Sequence, residues 1–496
     1  MKHKSFFFLI PSILSLLLSI NFFWTKPLVP GFDAPFYLNE IRKFAHGFPN
    51  LFSYGYIDRY LTIAFPGTLS RFFGIDPVIS YRIAATLIFL AISLVLFKLF
   101  KNIFKNEPAA VALSSALVIS PFLLNYLLLF ANFSAFLILF LFFAIETGKD
   151  FKYKNIVLGI IFGLLFYVHN FSSVSFSLII GTYYLLKIIS EKNIKTLKKA
   201  AIIFAIAALI GSFAISKYIK INPGQGQATA VIAPGAPMTS GIAKELILSA
   251  IPVHAGKFWL LYFAVFTLVT IIFFRKELFK DKKALIFPAA IFIPSLILTL
   301  QPLYHLNYLP ERFVTLVILS SYFFYAAIIS LPKFKKYLPV LAAMPLLLNY
   351  LSADSLILNK GYRSFSDSEI TFYKDIKPIM QKEGSIIFTS SAHSYWASYF
   401  LEGFAVGAGE YSVSCGTLTE KGYLGDINFT FAKLLSDKDI KDAESRLDFL
   451  KTLLPGKTIY ILVDTSLSCG DGKILSSMPE VTQIYNQDNW YLYKAE

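Results

Sequence analysis

The chain has 496 residues, of which 56% are hydrophobic, and its mean hydropathy is +0.60. An ordinary soluble domain does not need that much apolar surface, so the composition indicates a polytopic membrane protein. The net charge of +15 does not indicate a nucleic-acid partner, because the lysines and arginines cluster in short loops between apolar runs. In such loops basic residues set the orientation of membrane helices.

Apolar runs long enough to cross a bilayer recur through residues 1–351. The first run follows Lys2, His3 and Lys4 but lacks a small-residue cleavage site, so it is predicted to be a retained span and not a signal peptide. We predict about eleven transmembrane helices. Their approximate bounds are 6–24, 83–100, 109–126, 133–147, 155–169, 173–190, 199–217, 257–274, 284–301, 313–331 and 337–351.

Basic residues alternate between successive short loops. Cations are dense in loops 98–106, 149–154, 187–199, 275–283 and 332–336, and sparse in loops 121–132, 168–173, 218–256 and 302–312. Lysine-rich loops face the cytoplasm, which predicts a plasma-membrane protein with a cytoplasmic N-terminus and an outer C-terminal domain. Glu146, near the cytoplasmic end of its helix, is expected to be solvated.

The first outer loop, residues 25–82, is predicted to form interfacial helices. Asp33 is a plausible N-cap with Pro35 in the first turn, and Phe36, Leu38, Ile41 and Phe44 are predicted to face the membrane. A second outer loop, 218–256, is rich in Gly, Pro and Ala. This composition predicts a flexible loop, which is either a lid over an outer site or a plain connection.

From residue 352 the composition changes to that of a soluble domain. Segments 384–390 and 457–466 are strand-like, segment 433–454 has helical periodicity, and the C-terminal residues predict a closing hairpin. Residues 352–496 are therefore predicted to form an extracytoplasmic α/β domain. Its two cysteines, Cys415 and Cys469, are predicted to form a disulfide outside the cytoplasm, with free buried thiols as the alternative.

Polar side chains at the predicted outer ends of the helices share one surface under this topology. Ionisable groups at membrane depth are costly unless they are paired or face a cavity, so they are candidates for function. A desolvated carboxylate is a good general base for an acceptor hydroxyl, and arginines hold phosphate through forked hydrogen bonds. Asp33 is the predicted catalytic residue. The predicted residues for binding the substrate or a lipid phosphate are Glu40, Arg42, Asp58, Arg59, His169, Asn170, His254, His305, Tyr308, Glu311 and Arg312.

Each of these residues also has a structural interpretation. The role of Asp33 can be limited to capping a helix, and Asp58 and Arg59 can form a local ion pair. Arg312 can pair with Glu311 or extend towards headgroups. The three histidines can be interfacial hydrogen-bonding residues.

Two segments of the first outer loop resemble the GT-C superfamily. They are GFDAPFYLNEI (31–41) and FPGTLSRFFGIDPVISYRIAATL (65–87), which leads into the second span. Members of this superfamily are polytopic glycosyltransferases that use polyprenyl-phosphate-linked sugars. The resemblance implies inverting transfer of a hexosyl or pentosyl group in cell-envelope glycosylation, with Asp33 in the place of the family's first-loop catalytic acid. The donor would be a polyprenyl-phosphate sugar, and the acceptor a lipid, glycan or protein.

The sequence departs from the oligosaccharyltransferases of this superfamily in two places. Segment 121–132 has no carboxylate where those enzymes place a metal-binding acidic pair, and the C-terminal domain lacks their WWDYG motif, of which SAHSYWASYF (391–400) is a faint echo. We therefore predict transfer of a single sugar. No cofactor is certain from the sequence. A divalent metal stays open as an alternative, but no acidic motif in the second outer loop supports it.

Two other functions are consistent with parts of the sequence. A transporter or flippase for a lipid-linked sugar would use the same outer cations, but it should have paired polar groups at mid-membrane depth and an internal repeat, which this sequence does not show clearly. A non-catalytic membrane scaffold would present the outer domain. The polar residues in several separate outer loops argue against that function.

Overall fold

The computed structural model of the protein describes residues 9–25, 28, 34–49, 56–127, 129–221, 248, 251, 255, 257–280, 282–301, 310–357, 367–380, 385–389, 396–397, 399–401, 405–407, 434, 439–464, 473–487 and 490–495. Predictions that fall outside these residues stay predictions. They concern Asp33, His254, His305, Tyr308, Cys415, Cys469 and most of loop 218–256. Asn170, Glu311 and Arg312 lie on helices, but their side chains are not among the described parts.

The chain divides into two compact units. The first comprises Met1–Gly31 and Ile41–Arg363, and the second comprises Phe32–Glu40 and Ser364–Glu496.

Helices build the first unit, and its helix α2 runs across the division between the units. In chain order the helices are α1 (Leu9–Ser19, extended by a π-helix at Ile20–Trp24), α2 (Ala34–His46), α3 (Tyr60–Phe73), α4 (Pro77–Phe104), α5 (Glu107–Val118), α6 (Pro121–Leu127), α7 (Phe130–Glu146), α8 (Lys154–Leu164), α9 (Asn170–Glu191), α10 (Ile194–Ile221), α11 (Lys257–Lys280), α12 (Lys282–Thr299), α13 (Pro310–Ile329) and α14 (Leu338–Ile357). Short 3₁₀-helices occur at Ile57–Arg59, Leu165–Tyr167 and Pro332–Tyr337.

Four of these helices are long and apolar enough to cross a bilayer, or six spans if each of two bent helix pairs counts as one. Four shorter apolar helices accompany them. The prediction of a polytopic helical fold with a small C-terminal sheet is confirmed, since every predicted span coincides with a helix or a bent helix pair. The number of eleven spans and their orientation stay predictions.

Helices α2 and α3 lie in the predicted outer loop, but α2 does not expose the apolar face that the sequence predicts. Leu38, Ile41 and Phe44 are fully buried, which corrects the prediction that they face lipid. One cause is Gly67 on α3, where an added Cβ would lie 2.5 Å from Phe44 Cβ. The bare glycine backbone therefore allows Phe44 to pack directly against α3.

Helices α5 and α6 form one bent element where the sequence predicts a single straight span. They meet at an angle of 53°, and Pro121 begins α6 without a backbone N–H. Asn349 on α14 stabilises the end of α5, because its Nδ2 donates to the carbonyl of Ala116 at 2.7 Å. The Asn349 Oδ1 accepts from the Tyr322 hydroxyl at 2.8 Å, so the amide joins α5, α13 and α14.

Helices α8 and α10 approach each other through glycine. A Cβ added at Gly159 would lie 2.7 Å from Ile206 Cβ, and one added at Gly163 would lie 2.7 Å from Ile210 Cβ. Small residues four apart allow membrane helices to pack backbone against side chain, with van der Waals contact as the driving force. The Gly159–Gly163 face thus fixes the separation of the two helices.

Replacing Gly159 by Ala should therefore destabilise the protein. Overpacking of a tight interface costs about 1–3 kcal/mol, which exceeds the gain of up to about 1 kcal/mol in helix propensity. The matched control is Gly181→Ala, whose Cβ would lie 3.9 Å from its nearest neighbour, the Phe204 ring. Thermal unfolding in detergent should show a lower Tm for the first variant and an unchanged or higher Tm for the second. An equal Tm for both would contradict the close packing.

Glu146 ends α7 and is fully buried, which makes the expectation of a solvated side chain wrong. Its Oε1 lies 2.9 Å from Lys187 Nζ on α9, and its Oε2 lies 2.7 Å from Lys199 Nζ on α10. Lys154 Nζ, at the start of α8, donates to the Glu146 carbonyl at 3.0 Å. A buried carboxylate is tolerated when it is paired. This one joins the ends of α7, α9 and α10, and the backbone carbonyl of the same residue adds the start of α8.

The second unit contains helix α15 (Asp367–Ile379), helix α16 (Ile440–Leu453) and strands β1 (Ser385–Thr389), β2 (Ala405–Gly407), β3 (Thr458–Asp464), β4 (Val481–Gln487) and β5 (Trp490–Ala495). The strand order is β2-β1-β3-β5-β4. Strand β1 is parallel to β2 and β3, whereas β3–β5 and the hairpin β4–β5 are antiparallel. The predicted strands, helix and closing hairpin are all present.

Alternate residues of β3 lie on one face of the sheet and form part of its core. Ile459, Ile461 and Val463 pack with Leu447 and Leu450 of α16 in one hydrophobic cluster. On α15, Phe372 contacts the ring of Trp490 with a centroid separation of 4.7 Å. The period of two along the strand and the apolar stripe of each helix therefore specify this unit locally.

Candidate active site

Five of the predicted site residues have described side chains. Glu40 is buried on α2 and Arg42 is half-buried two residues later. Asp58 and Arg59 lie in the 3₁₀-helix before α3, and His169 immediately precedes α9. Helix α2 begins at Ala34, directly after Asp33, as the prediction of an N-cap at that position requires.

Asp58 and Arg59 form an ion pair, with Arg59 Nε 3.9 Å from Asp58 Oδ2. This separation is longer than the 2.7–2.9 Å typical of a strong charge-assisted hydrogen bond. Both side chains are partly exposed. The local ion pair that the sequence offered as a structural alternative is therefore present, and it is a weak one.

The N-terminal part of α3 is tied to the turn before His169. The Thr62 hydroxyl, in the first turn of α3, donates to the Val168 carbonyl at 3.0 Å in a buried setting. Val168 follows the 3₁₀-helix Leu165–Tyr167 and directly precedes His169. This bond brings together two of the predicted outer segments, 57–62 and 165–169, within the first unit.

His169 caps helix α9. Its Nδ1 accepts from the Ser172 backbone N–H at 3.2 Å and lies 2.9 Å from the Ser172 hydroxyl oxygen. Because Nδ1 is an acceptor, the neutral ring carries its proton on Nε2 and would donate from that atom. The Ser172 hydroxyl donates to Asn132 Oδ1 on α7 at 3.1 Å, so a buried polar chain links α7 to the start of α9.

A small cavity of about 10 Å³ adjoins this polar chain. Its lining combines Asn132, Ser172 and Ser175 with aromatic and aliphatic side chains. Tyr126 is also a lining residue, and its hydroxyl forms a 2.5 Å hydrogen bond with the Thr315 hydroxyl on α13. Such a volume holds about one water molecule, and a polar lining is what an ordered water requires. The cavity is too small for a sugar ring.

His169 was predicted from the sequence as a site residue, whereas Asn132, Ser172, Tyr126 and Thr315 were not. These residues are uncharged and lie within apolar runs, where they resemble ordinary helix-packing residues. The contact between Asn132 and Ser172 joins residues 40 positions apart. No local signal in the sequence indicates that contact.

Variants of His169 separate its role as a helix cap from a role in substrate binding. His169→Ala should remove the cap and destabilise the protein by about 1 kcal/mol, whereas His169→Asn should keep the cap, because Asn is among the best N-cap residues. If Nε2 also contacts the substrate, His169→Asn should lower sugar transfer with an unchanged Tm. Unchanged transfer in that variant would restrict His169 to capping.

Among the residues with described side chains, no group of three or more His, Cys, Asp or Glu could hold a metal ion. Four of the five described candidates, Arg42, Asp58, Arg59 and His169, lie in the first unit, whereas Glu40 belongs to the second. Arginine side chains can bind an anion, and a carboxylate or an imidazole can exchange a proton with a hydroxyl.

Comparison with known proteins gives no relative by sequence. No protein-family model matches the chain, and no curated protein matches it significantly. Solved structures, in contrast, match along almost the whole chain.

Two solved structures share this architecture. ArnT from Cupriavidus metallidurans bound to undecaprenyl phosphate aligns with a TM-score of 0.57 at 10% identity, over 98% of this chain and 97% of ArnT. The Archaeoglobus fulgidus oligosaccharyltransferase in complex with zinc and sulfate aligns with a TM-score of 0.52 at 14% identity, over 92% of this chain and 68% of that one. At such identities the likeness establishes the fold. The resemblance predicted from the first outer loop is confirmed at that level: the protein has the fold of the GT-C superfamily.

Proposed function

We propose that the protein is a membrane glycosyltransferase that moves a single sugar from a polyprenyl-phosphate donor to an acceptor at the extracytoplasmic face. The observation that carries this proposal is the fold shared with ArnT over nearly the full length of both chains, since that protein is bound to undecaprenyl phosphate. A shared fold alone does not determine an activity. The residues of the first outer loop supply the chemical part of the proposal.

Asp33 is the proposed general base. A carboxylate directly before the first turn of α2, in an aromatic segment at the membrane surface, can accept the proton of an acceptor hydroxyl as that oxygen attacks the anomeric carbon. The bond to the phosphate oxygen breaks as the new glycosidic bond forms. A direct displacement of this kind inverts the anomeric centre and leaves polyprenyl phosphate as the second product.

The leaving phosphate gains charge in this step, so cations are needed where it departs. Arg42, Arg59 and Arg312 are the proposed phosphate ligands, because a guanidinium matches phosphate with two parallel hydrogen bonds. Arg59 suits this role because its side chain is partly exposed, so that its guanidinium is accessible to a phosphate. Glu40, Asn170, His254, His305, Tyr308 and Glu311 are proposed to orient the sugar and the acceptor.

The loop charges support the proposed side of the membrane. Lysine-rich loops alternate with loops of low charge along the helices, and the outer assignment of residues 25–82 follows from that alternation.

The test is sugar transfer by the purified full-length protein in proteoliposomes supplied with a panel of polyprenyl-phosphate sugars. Lipids, glycans and peptides serve as acceptors, and protein-free liposomes serve as the control. We expect labelled sugar to appear on one acceptor class with one or a few donors. Movement of the intact donor across the bilayer without any transfer would contradict the proposal and favour a flippase.

A further inference from the structure

A patch of exposed lysines lies in the first unit, near the helix ends that Glu146 joins. It consists of Lys149 and Lys152, between α7 and α8, and Lys192, Lys195 and Lys198, around the start of α10; we call these five residues the lysine patch. None of the five forms an ion pair with another described residue. Their charges are therefore directed to solvent or to a partner.

The acidic side chains of this region do not neutralise the lysine patch. Residues 146–199 contain eight lysines and three acids. Glu146 is paired with Lys187 and Lys199, Glu191 accepts from Thr196 at 2.7 Å, and Asp150 pairs with Lys154 at 2.8 Å. The hydrogen bond and charge of Lys154 lower the pKa of Asp150, so this carboxylate stays ionised and bound to Lys154.

The same buried ion pairs hold the two halves of the lysine patch in place. Glu146 lies at the end of α7, which precedes Lys149 and Lys152, and its partner Lys199 directly follows Lys198 on α10. The patch is therefore a fixed arrangement of charges on neighbouring helix ends and not a set of independent tails.

Apolar side chains alternate with these lysines. Ile194 is 64% exposed and Tyr153 is 55% exposed, and Phe151 and Leu197 are similarly open. Lys152 Nζ lies 5.2 Å from the ring centroid of Tyr153. Exposed aromatic and aliphatic side chains among lysines are typical of a surface at the headgroup level of a bilayer, where the rings and stems enter the acyl boundary and the ammonium groups contact phosphate.

We infer that the lysine patch binds the headgroups of anionic phospholipids in the leaflet at that end of the protein. The chemistry of the partner follows from charge complementarity, because five uncompensated ammonium groups favour an anionic headgroup over a zwitterionic one. The apolar side chains between them favour a lipid surface over a soluble polyanion. This site is separate from the proposed sugar-transfer site and does not depend on that function.

Lipid selectivity measured by electron paramagnetic resonance tests the inference. The full-length protein is reconstituted in phosphatidylcholine vesicles that contain spin-labelled phosphatidylglycerol or spin-labelled phosphatidylcholine, and the motionally restricted fraction of each is compared. The wild type should prefer phosphatidylglycerol by about fivefold, which corresponds to about one lysine contact.

Two variants with equal loss of charge separate the lysine patch from general attraction. The first replaces Lys149, Lys152, Lys195 and Lys198 by Gln, and the second replaces the exposed Lys374, Lys377, Lys441 and Lys457 of the second unit. Only the first should lose the preference, with both Tm values near that of the wild type. The inference is overturned if the wild type shows no preference, if the first variant keeps it, or if both variants lose it equally.

Discussion

Replacing Asp33 by Asn is expected to lower sugar transfer by about a hundredfold or more, because a positioned general base contributes about 10²–10⁴ to a rate and an amide cannot accept the proton. Asn and Asp are equally good N-cap residues, so α2 should still begin at the same position and the Tm should not change. Initial rates in proteoliposomes, with the donor and acceptor that the wild type uses, measure this effect.

Asp76→Asn is the matched control for this prediction. Asp76 lies in the same predicted outer loop and caps α4, where its Oδ1 accepts from the Val78 backbone N–H at 2.8 Å. The chemical change is the same and the N-cap survives, so transfer should stay close to the wild-type rate. Equal rates for both variants and the wild type would reduce Asp33 to a helix cap and remove the general base from the mechanism.

Replacing Glu146 by Ala is expected to cause the largest loss of stability. Removal of one partner from a buried ion pair costs about 3–5 kcal/mol, because the remaining charges lose their compensation. Here Lys187 and Lys199 both lose their carboxylate, so α7 loses these side-chain contacts with α9 and α10, whereas the hydrogen bond from Lys154 to the backbone carbonyl remains. Equilibrium unfolding in mixed micelles measures the change in the free energy of unfolding.

Asp150→Ala provides the comparison for Glu146. Asp150 also pairs with a lysine, Lys154, but the Asp150 side chain is 91% exposed, and the buried Lys154 ammonium keeps its hydrogen bonds to the Glu146 and Gly148 carbonyls when Asp150 is removed. The free energy of unfolding should therefore change by only about 1 kcal/mol. A similar small change for Glu146→Ala would mean that burial of the Glu146 carboxylate contributes nothing to the stability of the helix ends.

The sequence predicted the positions of the helices because each apolar run is bounded by charged residues, Pro or Gly. It also predicted the C-terminal hairpin, since alternation and turn residues are local signals. Its errors occurred where distant residues decide the structure. The bend between α5 and α6 involves Asn349, which is 233 positions from Ala116, and the burial of Phe44 depends on Gly67.

The same difference between local and distant signals applies to the candidate site. Asp58, Arg59 and His169 were identified because charged or imidazole side chains are conspicuous among aromatic residues at a membrane surface. Asn132 and Ser172 were missed, because a polar but uncharged residue in an apolar helix gives no sign of its partner. Glu146 was assigned to solvent for a related reason: its lysine partners lie on other helices, and helix ends are usually wet.

The central claim is that this protein transfers a sugar from a polyprenyl-phosphate donor to an acceptor. The stoichiometry of the products tests this claim most directly. Sealed proteoliposomes receive the active donor with a labelled sugar, and both polyprenyl phosphate and glycosylated acceptor are quantified over time. A glycosyltransferase releases one polyprenyl phosphate for each sugar transferred, and we predict this ratio. Movement of the labelled lipid across the bilayer with no release of polyprenyl phosphate would contradict the account.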